Sequence, residues 1–175
     1  MAVEISFLRD QAIFGGLEDE ELLKIAELLE EEDYAPGEII VEEGDLAQEM
    51  YLIEQGSVEI LKSVSGEVER QKISELKEGD CFGEMSLIDI KPRSATVRAM
   101  EPTRVLTLST RDLYQLQRWR LSTYTLIIMN IAREISRRLR RSDSITADFF
   151  LLKGEGERER TQERSTRTAG MESSR

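Results

Sequence analysis

The sequence predicts a mainly β domain flanked by helices, in the form of a sandwich, jelly roll or barrel. Three observations predict it. From Tyr34 to Leu108, short apolar and polar runs recur: Ile39-Ile40-Val41, Tyr51-Leu52-Ile53, Val58-Glu59-Ile60-Leu61, Ala95-Thr96-Val97 and Val105-Leu106-Thr107-Leu108. Glycines at 37, 44, 56, 66 and 79 punctuate those runs. The segments on either side carry helical spacing instead. Many short strands parted by regular turn signals are the mark of a closed or two-layered β architecture.

The elements follow in order. Ile5, Phe7, Leu8, Ile13 and Phe14 form a short helical arm ending at Gly15-Gly16. Residues 17–33 read as a helix, with Leu22, Ile25, Ala26, Leu28 and Leu29 at helical steps. Acidic residues at its start suit the helix dipole. Within the β region, Gln55-Gly56 and Ser65-Gly66 read as hairpin turns, where glycine tolerates positive φ. Arg111–Trp119 is a short helix, and Ser122 to about Ser142 a long one. In the long helix, Thr125, Ile128, Ala132, Ile135 and Leu139 form an apolar seam of coiled-coil type, with arginines opposite. From Lys153 onward the chain is polar and is expected to be disordered. The resulting plan is a helical arm (1–33), a β domain (34–110), trailing helices (111–152) and a tail (153–175).

Composition excludes several function classes. The chain has 175 residues, 39% of them hydrophobic, enough for a core. Its formal net charge of -11 repels DNA and anionic membrane unless a local basic patch is presented. The arginine-rich stretch from Arg118 to Arg141 is such a patch, or else it faces the acidic N-terminal helix or solvent. There is no histidine, which removes the commonest general base and most zinc sites. No metal is expected. Cys81 is the single cysteine and reads as a buried, inert thiol. Trp119, beside arginines, reads as a packing anchor with a cation–π option. No signal peptide or membrane-spanning run is apparent, so a cytoplasmic setting is expected.

Residues 82–97 carry the chemistry: Phe82-Gly83-Glu84-Met85-Ser86-Leu87-Ile88-Asp89-Ile90-Lys91-Pro92-Arg93-Ser94-Ala95-Thr96-Val97. A strand ends at Phe82, and a helical turn can run from Glu84 to Ile88. Gly83 lets a ligand approach the backbone. Backbone N–H groups at the start of the turn favour an anion. Glu84 is an acceptor suited to a sugar hydroxyl. Pro92 stiffens the way into the next strand. Arg93 offers a planar fork for two phosphate oxygens, and Ser94 adds a hydroxyl. Read alone, the same residues allow a bulge at Gly83 and an Arg93–Glu84 ion pair.

The full string closely resembles the phosphate-binding cassette of cyclic nucleotide-binding domains: Phe-Gly-Glu, a few apolar residues, then Pro-Arg-Ser-Ala. The resemblance extends over roughly residues 5–143. It takes in Glu43-Gly44-Asp45, the strand Tyr51-Leu52-Ile53 leading to Gly56, and Glu78-Gly79-Asp80. It implies a β-roll or jelly roll (double-stranded β-helix) with N-terminal helices and a C-terminal helix pair acting as lid or dimer helix. It implies that Gly83 and Glu84 bind the ribose 2′-hydroxyl. Arg93 would neutralise the cyclic phosphate, helped by Ser94 and the backbone around Ser86 and Ala95. Val58, Ile73, Leu76 and Met85 would line the wall around the base. Contacts from the trailing helix would involve Arg137, Arg141, Ser142 and Asp143.

The ligand implied is cAMP in preference to cGMP. The implied function is a sensor that passes ligand binding to an effector protein of unknown identity through its C-terminal helices. A homodimer through helix 122–142 is a further expectation. A ligand-independent scaffold with the same fold is the alternative. Related transcription factors carry a DNA reader after the long helix. Residues 153–175 leave no room for one, so no DNA partner is expected. No nucleophile–base pair points to an enzyme.

Overall fold

The computed structural model describes residues 3–46, 48–89 and 91–145. The chain divides into two compact units, Met1–Glu134 and Ile135–Arg175. The first unit opens with helix α1 (Ile5–Arg9), a 3-10 turn (Ala12–Phe14) and helix α2 (Asp19–Ala26). Strands β1 (Glu30–Tyr34), β2 (Ile39–Val41), β3 (Glu49–Gln55), β4 (Ser57–Lys62), β5 (Gln71–Lys77) and β6 (Cys81–Phe82) follow. Then come the short helix α3 (Met85–Ile88), β7 (Thr96–Ala99), β8 (Thr103–Ser109), α4 (Thr110–Trp119) and α5 (121–134). In the second unit, residues 135–145 are helical. The expected helical residues 146–152 and the tail 153–175 lie outside the described residues.

The strands form two four-stranded antiparallel sheets, ordered β1-β8-β3-β6 and β2-β7-β4-β5. This is the jelly-roll arrangement: the strands are divided between two packed layers, and the inner faces of both are apolar. The inner faces meet at Val41, Tyr51, Ile53, Val58, Phe82, Val97 and Val105. In the first sheet the outer face is buried too, at Met50, Leu52, Leu106 and Leu108. Burial on both faces explains why Tyr51-Leu52-Ile53 and Val105-Leu106 read as unbroken apolar runs. The helical side of the core holds Leu8, Phe14, Leu22, Ile25, Leu116, Ile127 and Ile131, all at 2% exposure or less.

Two departures from the sequence reading have physical causes. The expected helix over 17–33 stops at Ala26, and Glu30–Tyr34 is a strand. That strand contains no aliphatic residue, so hydropathy gives no period-two signal. Its β-structure comes from pairing with β8, where Arg104 Nε meets Asp33 at 2.8 Å and Thr107 donates to Glu32 at 2.9 Å. Its charges also suit a sheet edge, because they discourage pairing with another chain. In α5 the buried face is Thr123, Ile127, Asn130 and Ile131, not the seam at 125, 128 and 132. Thr123 donates to buried Glu21, and Asn130 donates to the carbonyls of Ile13 and Gly15. These polar residues face inward because they satisfy groups on the N-terminal helices.

Candidate functional site

Residues 82–97 connect β6 of one sheet to β7 of the other, with α3 between them. Gly83 adopts φ +75. A Cβ there would collide with Nη1 of Arg93 and lie 3.0 Å from the Glu49 carbonyl oxygen. Glycine is therefore required twice, by the left-handed backbone and by the close approach of the guanidinium. Gly83 is a tight turn packed on Arg93, which refines the bulge allowed by sequence.

Arg93 is a buried arginine, with its side chain 3% exposed. Its Nη1 donates to the Gly83 carbonyl at 3.3 Å and to Ser86 Oγ at 3.2 Å. Its Cζ lies 5.5 Å from the Tyr51 ring centroid, a cation–π contact. Tyr51 in turn stacks on Phe82 at 4.9 Å. Burial pushes the Tyr51 hydroxyl above its usual range, and the charge of Arg93 pulls it part of the way back. The carboxylate paired with Arg93 is that of Glu49, whose Oε2 is 3.6 Å from Nη2, an ion pair too long for a hydrogen bond.

The remaining donors decide what the site can do. Arg93 Nε and Nη2 are buried and have no hydrogen-bond partner. Together they form one edge of the guanidinium, two parallel N–H donors matched to two oxygens of an anion. Buried unsatisfied donors are costly and uncommon in folded proteins. An edge of two such donors beside a glycine turn fits a phosphate.

The backbone of Arg93 is held on both sides. Its N–H donates to Asp45 O at 2.8 Å, and its carbonyl accepts from Gly44 N–H at 2.9 Å. The turn Glu43-Gly44-Asp45 is fastened to β4 through Lys62, which donates to Glu43 at 2.5 Å and also to the Ser94 carbonyl. Glu43 further accepts from the Ser63 N–H at 2.9 Å, and its own N–H donates to Thr96 Oγ1 at 3.0 Å. The Lys62 and Ser63 contacts hold the Glu43 carboxyl down to a pKa of about 2.

The other predicted site residues fall in distinct places. Glu84 and Ser86 are buried beside the turn, Ala95 is half-buried and Ser94 is exposed. Met85 is 50% exposed on α3. Val58 is fully enclosed in the core, with Leu76 packed against that core from β5. Ile73 sits at the irregularity between the pairs Ile60–Ser74 and Leu61–Lys72 and is 60% exposed. The sequence reading did not single out Glu49 or Lys62, nor did it give Tyr51 a part in the site. Glu49 carried a usable signal: it shares strand parity with Tyr51 and Ile53, so an acid stands at the end of an inward-facing row.

The model of the cyclic nucleotide-binding domain matches residues 31–118. A cAMP-dependent protein kinase regulatory subunit of Blastocladiella emersonii is 37% identical over 94 residues, 54% of this chain and 23% of that protein. The crystal structure of Thermus thermophilus Catabolite Activator Protein superposes with a TM-score of 0.67 at 36% identity, covering 76% of this chain and 60% of that one. The regulatory domain of Toxoplasma gondii PKA, co-crystallised with cAMP, gives a TM-score of 0.61 at 30% identity, covering 74% and 48%. This chain spans less than a quarter of the first kinase regulatory subunits it matches, 23% and 22% of their lengths. The jelly roll, the glycine turn against a buried arginine and these similarities together show that the chain belongs to the cyclic nucleotide-binding domain family.

Proposed function

We propose that this chain is a cyclic nucleotide sensor, with cAMP as its preferred ligand, that signals through its C-terminal helices. The observation that carries this reading is the unmatched buried edge of Arg93, Nε and Nη2. A cyclic phosphate would supply the two acceptors. In this reading Ser86 and the backbone near Ala95 complete the phosphate cradle, with Ser94 at its rim. Gly83 and Glu84 take the ribose hydroxyl. Leu76, Ile73 and Met85 flank the base, and Val58 backs that wall from the core. The names of the kinase regulatory subunits and the cAMP co-crystal support cAMP as a ligand.

Ligand binding changes the charge balance at Arg93. A phosphate on Nη2 competes with Glu49, which is 39% exposed and can turn to solvent. Only a difference in ligand affinity between two arrangements can drive a switch. Releasing Glu49 supplies one such difference, at the start of β3 and next to α4. The function is that of a binding module and not of an enzyme. A cytoplasmic setting belongs to the same proposal. Among the described residues no helix is long and apolar enough to cross a membrane.

The partner side includes an effector protein and a second copy of the chain. Leu121 and Met129 on α5 are 61% and 48% exposed, and Thr125 and Ala132 are exposed as well. That apolar strip favours self-association through the helix region 122–142. Sedimentation velocity should show a dimer that Met129→Glu dissociates; a monomer at all concentrations would remove the dimer from the proposal.

Thermal unfolding tests the sensor itself. A ligand at about a hundred times its dissociation constant stabilises by about 2.7 kcal/mol. For a domain of this size that is a shift of roughly 5–10 °C. The shift is expected with cAMP, smaller with cGMP and absent in Arg93→Met. No shift in nucleotide-free wild type would favour the ligand-independent scaffold.

A further inference from the structure

Apart from the cassette, a cavity opens on α4, between that helix and the residue preceding β3. It is lined by Gln48, Thr110, Arg111, Tyr114, Gln115 and Arg118. Positions 111, 114, 115 and 118 lie three and four residues apart and so share one helix face. Tyr114 is 58% exposed.

Two arginines on this face stand without an acid among the described residues. Five other arginines meet acids: Arg9 with Asp19, Arg70 with Glu42, Arg98 with Glu59, Arg104 with Asp33 and Arg120 with Glu20. Among the described residues, Arg111 and Arg118 have neither an ion pair nor a side-chain hydrogen bond. The adjacent acid, Asp112, is committed to the N-terminal cap of α4 through the N–H and hydroxyl of Ser109. In a chain of net charge -11, two exposed cations bracket an exposed aromatic ring.

We propose that this face docks an acidic, extended segment of the effector protein, with carboxylates at its first and fifth positions and an apolar ring at its third. The proposal rests on the sensor reading, for which it names the partner's chemistry. Seven helical residues separate Arg111 from Arg118 by about 10 Å. Same-face residues four apart on an extended chain lie about 13 Å apart. Arginine side chains splayed from the helix cover that difference. The third residue of such a segment falls over Tyr114, where ring packing adds specificity.

A short acidic segment suits the site better than a polyanion. Fields at physiological ionic strength decay over about 8 Å. A short segment therefore feels mainly the two local cations. A duplex or an anionic membrane would also meet the acidic remainder of the surface. The face is physically joined to the phosphate site. Gln48 O accepts from the Thr110 N–H at 2.8 Å and from Thr110 Oγ1 at 3.0 Å. The next residue, Glu49, is the ion-pair partner of Arg93.

The test is fluorescence anisotropy of a labelled Glu-Ser-Phe-Ser-Glu peptide titrated with the full chain, without nucleotide. Saturable binding is expected. Replacing both glutamates of the peptide by glutamine, or both Arg111→Gln and Arg118→Gln in the protein, should weaken it roughly tenfold, as two exposed ion pairs are lost. Arg9→Gln should leave it unchanged, and circular dichroism checks the fold of each variant. Absence of saturable binding overturns the proposal, as does equal affinity across the variants. Tighter, Arg111- and Arg118-dependent binding to duplex DNA or to phosphatidylserine vesicles also overturns it. With no nucleotide present, failure here leaves the sensor reading intact, and failure of cAMP to bind leaves this measurement valid.

Discussion

Replacing Gly83 by alanine separates two demands that the cassette makes on one residue. Gly66, in the β4–β5 turn, has φ +92, and a methyl added there would have nothing within 4 Å, so it reports backbone strain alone. A left-handed conformation costs a non-glycine residue about 1–2 kcal/mol. Reduced freedom of the unfolded chain returns about 0.4–1 kcal/mol. Gly66→Ala should therefore cost roughly 1 kcal/mol. At Gly83 the strain is similar, but the methyl also drives Arg93 Nη1 from its place. The bonds to the Gly83 carbonyl and Ser86 are then lost. They are long, 3.3 and 3.2 Å, so each is assigned the weak end of the charged range, about 1.5 kcal/mol. Gly83→Ala should thus cost roughly 4 kcal/mol by urea unfolding. Calorimetric affinity for cAMP should fall by about a hundredfold or more as the arginine fork loses its alignment. Equal destabilisation of the two variants, with cAMP affinity retained in Gly83→Ala, would refute the close-approach argument.

The charges around Arg93 and its neighbouring turn allow two more tests. Glu49→Gln keeps the shape of the side chain but removes the carboxylate that competes for Nη2. Its cAMP affinity should rise several-fold at constant salt; a decrease would contradict the competition. The Lys62–Glu43 fastening should respond to acid. The Glu43 carboxyl is held at about 2 when folded, against 4.5 ordinarily. Its folded value is depressed, so its stabilisation is fully present above about pH 4.5 and is lost as pH falls toward about 2. The melting-temperature difference between wild type and Glu43→Gln should be flat at neutral pH and shrink below about pH 4.5. A difference independent of pH across that window would show that the carboxylate charge is not what fastens the turn.

Much of the fold was legible because it is local. The strands with apolar inner faces, the glycine turns and both trailing helices follow from residue spacing. Strand β1 was not legible: Glu30-Glu31-Glu32-Asp33 becomes a strand through partners about seventy positions away, such as Asp33 with Arg104. The buried face of α5 was misread for a related reason. Thr123 and Asn130 are polar, and their burial depends on groups of the N-terminal helices. In the site, Gly83 and Arg93 were readable from one continuous string. Glu49 and Lys62 come from other strands and meet the cassette through tertiary structure. The exposure of Ile73 likewise depends on a strand irregularity that sequence spacing does not reveal.

The central claim is that the buried edge of Arg93 awaits the phosphate of a cyclic nucleotide. Isothermal titration of cAMP into the full chain, stripped of carried-over nucleotide, tests it most directly. Saturable binding with one site per chain is expected, weaker for cGMP and lost in Arg93→Met. Circular dichroism should show that variant still folded: it gives up the bonds to Gly83 and Ser86 but also removes two unsatisfied buried donors. Absence of saturable heat in folded wild type, or undiminished binding in Arg93→Met, would contradict the claim.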